Sequence, residues 1–483
     1  MTSLRLGCWR SSWAPAVLLL TAALGAAGCS GETPTPPPVI PPDTHPPVLT
    51  IVYPSEAYGA YDRDSNGLLD LEVAWRDSAG AVNPASLRIT CSDCLPGISQ
   101  DTNFAVGWRT ARRDTVGAVL EETIPLLMRS GSHLLRVTVT DTAGNRSTEK
   151  LVYLNLPPGA FHRAIDLAYP ATWQQVKAAF VAVTADGHKG FVPFTDGHLA
   201  VFDPDGVTPT HYIGPITNSF PGAQISLDEA TGLAYIGGGG AETPGFQVVD
   251  TRTEQPLAWY SVGMGLAGVH AEGNRIFVGE SCTNGRIIVL DKMTMQELGR
   301  VEVGATPFEA VCTNTRTFAL TSDGHQGWGG LVDAGLVWFD AQTYAVIQRF
   351  DLEPSPGTNN YGNVRDIRLL NDRWLYLARV CEGLDEWDVQ NRNVRTGRYD
   401  GLIKELTLSP DGRLLFASAS PDCTLSGSYT RAPLLFEVPG LRLRYAFPQR
   451  PGAISDGAVF HPDGKRVYVM AEFNVDVYLI RPL

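Results

Sequence analysis

A unit of strand, tight turn, strand, loop, strand, turn and strand recurs seven times in the C-terminal two-thirds of this 483-residue chain, and no other feature narrows its fold as much. The clearest copy runs Glu405 to Ser418 (ELTLSPDGRLLFAS), then Leu434 to Pro439, then Leu441 to Tyr445. Third strands end at Asp203, Asp250, Asp291, Asp340, Asp388, Glu437 and Tyr478, with successive separations of 47, 41, 49, 48, 49 and 41 residues. Seven copies over residues 159–483 give about 46 residues each, the size of a four-stranded sheet that forms one blade of a β-propeller. The chain closes on a third strand, Val475 to Ile480, which leaves the last blade one strand short. His162 to Tyr169 (HRAIDLAY) precedes the first complete unit with a fourth-strand pattern, so ring closure by that strand is expected. Composition agrees: only 18 % of residues are charged, and 49 Gly with 34 Pro favour many short strands and turns. Whole-chain disorder and an all-helical bundle are excluded.

Ser409-Pro410-Asp411-Gly412-Arg413 and His461 to Val469 (HPDGKRVYV) resemble the YVTN-type propeller repeats of surface and periplasmic proteins, a superfamily with lactonase-like and dehydrogenase-like members. That resemblance implies a fold and leaves the activity open, because propellers host scaffolds and enzymes alike.

The N-terminus reads as an address. Arg5 and Arg10 precede a mostly apolar run, Ala14 to Ala23, which is too short to span a bilayer. Ala26-Ala27-Gly28-Cys29-Ser30 then resembles the lipobox of bacterial lipoproteins, with Ala26 where Leu is commonest. The resemblance implies cleavage of a signal peptide at residues 1–28, lipidation of Cys29 as the mature N-terminus, and, from Ser30, sorting to an outer membrane; the alternative is an ordinary secreted signal with a chance Cys. Residues 29–47 carry the lipidated Cys and a proline-rich stretch that forms neither helix nor ladder and reads as an extended tether. Losing Arg5 and Arg10 with the signal takes the formal charge from −13 to −15, which argues against nucleic acid as a partner.

Residues 48–158 alternate apolar and polar in about seven short runs, the pattern of an antiparallel sandwich. Asn83 to Thr90 (NPASLRIT) and Val137 to Asn145 (VTVTDTAGN) resemble bacterial Ig-like surface modules, which implies a spacer or adhesion unit. The expected fold is therefore all-β, an Ig-like β-sandwich followed by a seven-bladed β-propeller over residues 159–483. Within the first module, Asp62, Asp64, Asn66 and Asp70 stand at calcium-loop positions around Gly67, although Val73 replaces the bidentate Glu of an EF-hand; a plain acidic turn is the alternative to a calcium site. Cys91 and Cys94 enclose two residues, which in an oxidising compartment favours a local disulfide over a metal site lacking a second Cys or His pair. The propeller cysteines Cys282, Cys312, Cys381 and Cys423 allow three pairings, with Cys381 to Cys423 favoured because both follow second strands of neighbouring blades.

Long connections concentrate on one face: 214–222, 322–335, 353–362 and 418–433. Loops held by a rigid ring are where function is usually placed. Aligning blades on their tight turns gives a column at the inner-strand starts: Phe180, Gln224, Leu266, Glu309, Asp366, Glu405 and Gly457. Three consecutive carboxylates at a channel mouth repel one another unless a cation sits between them or some stay protonated; the alternative is local pairing with Arg365, Arg368, Arg379 or Lys404. His325, Trp328, Asn359, Asn360, Tyr361 and Tyr429 are the candidate loop contacts. No zinc-helix, phosphate-loop or nucleophile-elbow motif appears, and no cofactor fingerprint beyond a divalent cation. Three functions compete: a lipid-anchored scaffold meeting a protein, glycan or small ligand; a lactonase-like hydrolase using a metal at Glu309, Asp366 and Glu405; and an envelope protein with neither ligand nor turnover.

Overall fold

The computed structural model describes residues 41–95, 99–168, 180–215, 224–238, 244–263, 266–280, 286–303, 314–332, 335–352, 364–379, 382–391, 393–400, 403–419, 432–448, 455–471 and 474–482. Residues 44–483 form one compact unit. Its first part is seven strands: β1 (Val48–Tyr53), β2 (Asp70–Arg76), β3 (Val82–Thr90), β4 (Arg109–Arg113), β5 (Gly117–Glu121), β6 (Gly131–Asp141) and β7 (Lys150–Leu156). They make two antiparallel sheets, β1-β2-β5-β4 and β3-β6-β7. Alternation puts Leu71, Val73 and Leu120 of the first sheet against Ile89, Val137 and Leu154 of the second in one shared core.

The remainder is a ring. Six four-stranded sheets follow in chain order, at 182–213, 225–261, 266–302, 314–350, 364–399 and 403–446, and are called blades 1 to 6. Blade 7 takes three strands from 455–480 and its outer strand, β8 (Gly159–Asp166), from the start of the ring. β8 lies antiparallel to Asn474–Ile480, with Val475 opposite Ile165 and Ile480 opposite Gly159. The expected closure by an N-terminal strand is thus realised, three residues earlier than the sequence pattern suggested. Seven apolar cores separate the blades, one at each junction; Phe191 and Val249 fill that between blades 1 and 2, and Val192 and Met470 that between blades 7 and 1.

Short-range chemistry explains why the unit repeats. Asp250, Asp291 and Asp340, which end third strands, each accept two backbone N–H groups of the following turn at 2.7–3.0 Å. Thr184, Thr321 and Ser409 each donate a hydroxyl to the Asp two residues on at 2.5–2.6 Å. Gly187, Gly324 and Gly412 then turn the chain with φ of +75°, +67° and +67°, a conformation open to glycine.

The first module is joined to blade 7 by a sealed polar seam. Arg481 donates Nη1 to Glu122 Oε1 at 2.9 Å and Nη2 to Glu122 Oε2 at 2.8 Å, with side chains 1 % and 0 % exposed. The same guanidinium reaches the Gly67 and Met128 carbonyls, while Glu122 also accepts from the Leu69 and Met128 amides. Gly67 has no room for a side chain, since a Cβ there would stand 2.7 Å from that of Ala160 in β8. Lys465 Nζ to the Pro125 carbonyl and Arg444 to Ser130 Oγ, both 2.6 Å, extend the contact. Breaking a buried ion pair strands a charge, so Arg481→Met should cost about 3–5 kcal/mol in denaturant unfolding. A loss below about 1 kcal/mol would show that the seam is held by something else.

Candidate functional site

Inner strands meet near the ring axis, and there a polar side chain repeatedly ties one blade to the next. Ser226 Oγ accepts the Ala271 amide, Thr317 Oγ1 the Ile367 amide and Thr407 Oγ1 the Phe460 amide, at 3.0–3.2 Å. Asp366 makes the corresponding tie from blade 5 to blade 6: its Oδ2 accepts the Leu406 amide at 2.8 Å. Oδ1 accepts the Thr317 hydroxyl at 3.1 Å and the Ile367 amide at 2.8 Å, with Arg368 Nη1 at 2.9 Å. The geometry therefore gives Asp366 a bracing role within three blades and leaves few lone pairs for a ligand.

Glu405 lies beside it on blade 6 and differs. It is buried, its Oε1 has no hydrogen-bond partner, and its nearest cation is Arg365 Nε at 3.6 Å. Burial, then the negative charge of Asp366, pushes the Glu405 carboxyl well above the ordinary carboxylate range, and burial also raises Asp366 against the pull of Arg368. The local pairing with Arg365 and Arg368 weighed from the sequence is present. Glu309, the third member of the column, lies outside the described residues.

Two loop expectations are corrected. Residues 322–335 are not one long connection: Asn314–Leu320 and Gln326–Val332 pair as adjacent strands, with Ala319 opposite Trp328. Trp328 is completely buried between blades 4 and 5, where its Nε1 donates to Asn393 Oδ1 at 3.2 Å and its ring stacks on Trp338. His325 sits in the first-to-second hairpin, 3.6 Å from Asp323. The Gly-Trp-Gly-Gly run reads as loop because glycine is poor in strands, but Gly327 admits the Phe339 ring and Gly330 admits Thr317 and Val364 against bare backbone. Asn359, Asn360, Tyr361 and Tyr429, like Cys29, Cys282, Cys312, Cys381 and Cys423, lie outside the described residues.

In the first module, Asp62, Asp64 and Asp70 each offer an oxygen within 4.8 Å of the others. Burial raises Asp62 and Asp70. Asn66, in the same loop, accepts the Leu68 amide on Oδ1 at 2.8 Å and donates Nδ2 to Glu121 at 2.9 Å, while Asp62 accepts the Asn66 and Gly67 amides and Asp70 that of Arg63. Cys91 and Cys94 are joined as a disulfide.

A cleft of about 870 Å³ opens between the first module and the ring, lined by Arg109, Glu121, His162, Arg163, Lys465 and Arg466 among others, and no motif in the sequence marks it. His162 belongs to the closing strand β8 and also faces this cleft. Its Nδ1 stands 2.7 Å from the Asn66 carbonyl, so that nitrogen carries the proton, and burial lowers the imidazole's affinity for a second one. The cleft needs both modules in register, a juxtaposition no local motif reports.

No family model matches the sequence, and no curated protein matches it. Among solved structures, the chain is similar to the β-propeller domain of Cps50 (Swd1) from Myceliophteria thermophila, at 11 % identity over 67 % of this chain and 100 % of that one, with a TM-score of 0.52. It is also similar to the hydrazine synthase of Kuenenia stuttgartiensis, at 17 % identity over 64 % and 96 % of the two chains, with a TM-score of 0.51. The likeness is one of fold: the chain contains a β-propeller.

Glu405 binds its proton more tightly folded than unfolded, so the stability linked to it is complete below about pH 4.5 and is lost as pH rises through its raised value. Glu405→Gln should flatten that decline in thermal melts taken from pH 4.5 to neutrality. A profile identical to the unsubstituted protein's would assign the decline to another group.

Proposed function

We propose that this protein is a lipid-anchored, extracytoplasmic binding or scaffold protein that presents the loop-bearing face of its propeller to a protein, glycan or small ligand. The carrying observation is the sealed Arg481–Glu122 seam. It fixes the first module against blade 7 at the ends of third strands, the side of the Asp-Gly hairpins, so that among the described residues the first module does not cover the opposite ends of the strands. In this reading residues 29–47 tether the protein to an outer membrane through Cys29, the Ig-like module acts as a rigid adaptor, and Asn359, Asn360, Tyr361 and Tyr429 make partner contacts. Calcium at Asp62, Asp64 and Asp70 would serve to stiffen the module beside that seam.

The rival reading, a lactonase-like hydrolase with a divalent ion at Glu309, Asp366 and Glu405, asks Asp366 to surrender the Leu406 amide bond that joins blades 5 and 6, or the Ile367 amide bond within its own strand. The bracing geometry favours the scaffold.

Cys29→Ser should move the protein from the membrane fraction to the soluble fraction. Combined alanine substitution of Asn359, Asn360, Tyr361 and Tyr429 should abolish cross-linking to envelope partners while leaving the melting temperature unchanged. Undiminished cross-linking would count against these four residues as the partner contacts, and a chelator-sensitive esterase activity with about one metal per chain would replace the scaffold with the hydrolase.

A further inference from the structure

The first module holds a cluster that the disulfide alone does not account for. Cys91, Asp93, Cys94 and His133 each offer a ligand atom, and all four atoms lie within 4.8 Å of one another. Cys91, Cys94 and His133 are 4 %, 1 % and 7 % exposed and sit at the edge of the module's apolar core, while the Asp93 side chain opens to solvent. The donors are two sulfurs, one imidazole nitrogen and one carboxylate oxygen, a set and a number suited to tetrahedral zinc.

The imidazole is oriented for such a role. His133 Nε2 lies 2.8 Å from the Arg129 carbonyl, so it carries the ring proton and leaves Nδ1 as the lone-pair nitrogen, facing Asp93 Oδ1 at 3.5 Å. A ligating histidine whose other nitrogen donates to a backbone carbonyl is the usual second-layer arrangement of zinc sites. The Arg129 amide in turn donates to the Cys94 carbonyl at 2.7 Å, so one residue positions both a thiol-bearing and an imidazole-bearing ligand. Asp93 Oδ1 also lies 3.5 Å from Cys91 Sγ. The Cys pair is visible as a sequence motif, whereas His133 stands 39 positions beyond Cys94 and only the fold brings it in.

We propose that Cys91, Cys94, His133 and Asp93 form a redox-gated zinc site, closed as a disulfide under oxidising conditions and able to bind one zinc ion when reduced. A dithiol reductant supplies the two electrons and two protons that convert the bridge to two thiols and is itself oxidised to a disulfide. Zinc then displaces those two protons, and each thiolate takes a bond of about 2.3 Å to the metal. The sulfurs need only separate to about 3.7 Å, the edge of such a tetrahedron. His133 already stands in place, and Asp93 closes the site from the solvent side.

The test uses the full mature chain in detergent. After treatment with a dithiol and desalting under anaerobic conditions, cobalt as a spectroscopic probe should give the absorption of a tetrahedral thiolate complex, and zinc should be retained at about one per chain. The oxidised protein should give neither. His133→Gln and Asp93→Asn, whose oxidised forms keep the bridge and report folding by their melting temperatures, should each weaken binding by about tenfold or more. The Cys91→Ser/Cys94→Ser protein should lose the thiolate signal even with the remaining cysteines reduced. Retention of the signal in that double variant, equal affinity in His133→Gln, or a bridge that the dithiol cannot open in the folded chain would each overturn the proposal.

Discussion

Everything else in the ring depends on one antiparallel pairing, β8 against Asn474–Ile480. Without it, blade 7 would present an unpaired edge and blade 1 would have no fixed neighbour on one side. With it, all seven inter-blade cores are enclosed, and no ring sheet has to stand as an isolated small unit. The pairing also brings the two ends of the ring together beside the first module. That is why Arg481, immediately after the last strand, can reach Glu122 and seal a seam with no solvent exposure at the acid.

The ring was legible because its instructions are local. Asp at a third-strand end and Ser/Thr-x-Asp-Gly at the first hairpin each satisfy their hydrogen bonds within five residues, so the same letters recur wherever the turn recurs. The missing strand was legible for the same reason, as a count that came out one short. Blade 4 shows where such reading fails. Gly327 and Gly330 are strand residues, chosen because Phe339, Thr317 and Val364 press on the backbone there. That demand comes from neighbours in space, so Trp328 was assigned to a surface loop when it fills an inter-blade core.

The site residues divide the same way. Sequence alignment placed Asp366 and Glu405 at equivalent positions, and they are indeed neighbours, but their environments separate them. Asp366 substitutes a carboxylate for the hydroxyl that Thr317 uses at the same place in blade 4, and its charge is offset by Arg368 and three hydrogen bonds. Glu405 has no such set of donors. Acidic residues in a column thus carried two roles, and only the positions of amide groups on the next blade distinguish them. The contribution of His133 to the cluster at Cys91 and the cleft at His162 escape the sequence for the complementary reason: each joins segments that share no motif.

Closure by a strand from the far end of the ring has a price in time. β8 leaves the synthetic or export machinery more than three hundred residues before Asn474–Ile480, its only partner across that edge, becomes available. Throughout that interval β8 has no strand partner on that edge, and contacts of such long sequence separation form slowly. The delay is set by topology, independent of how stable the finished ring becomes.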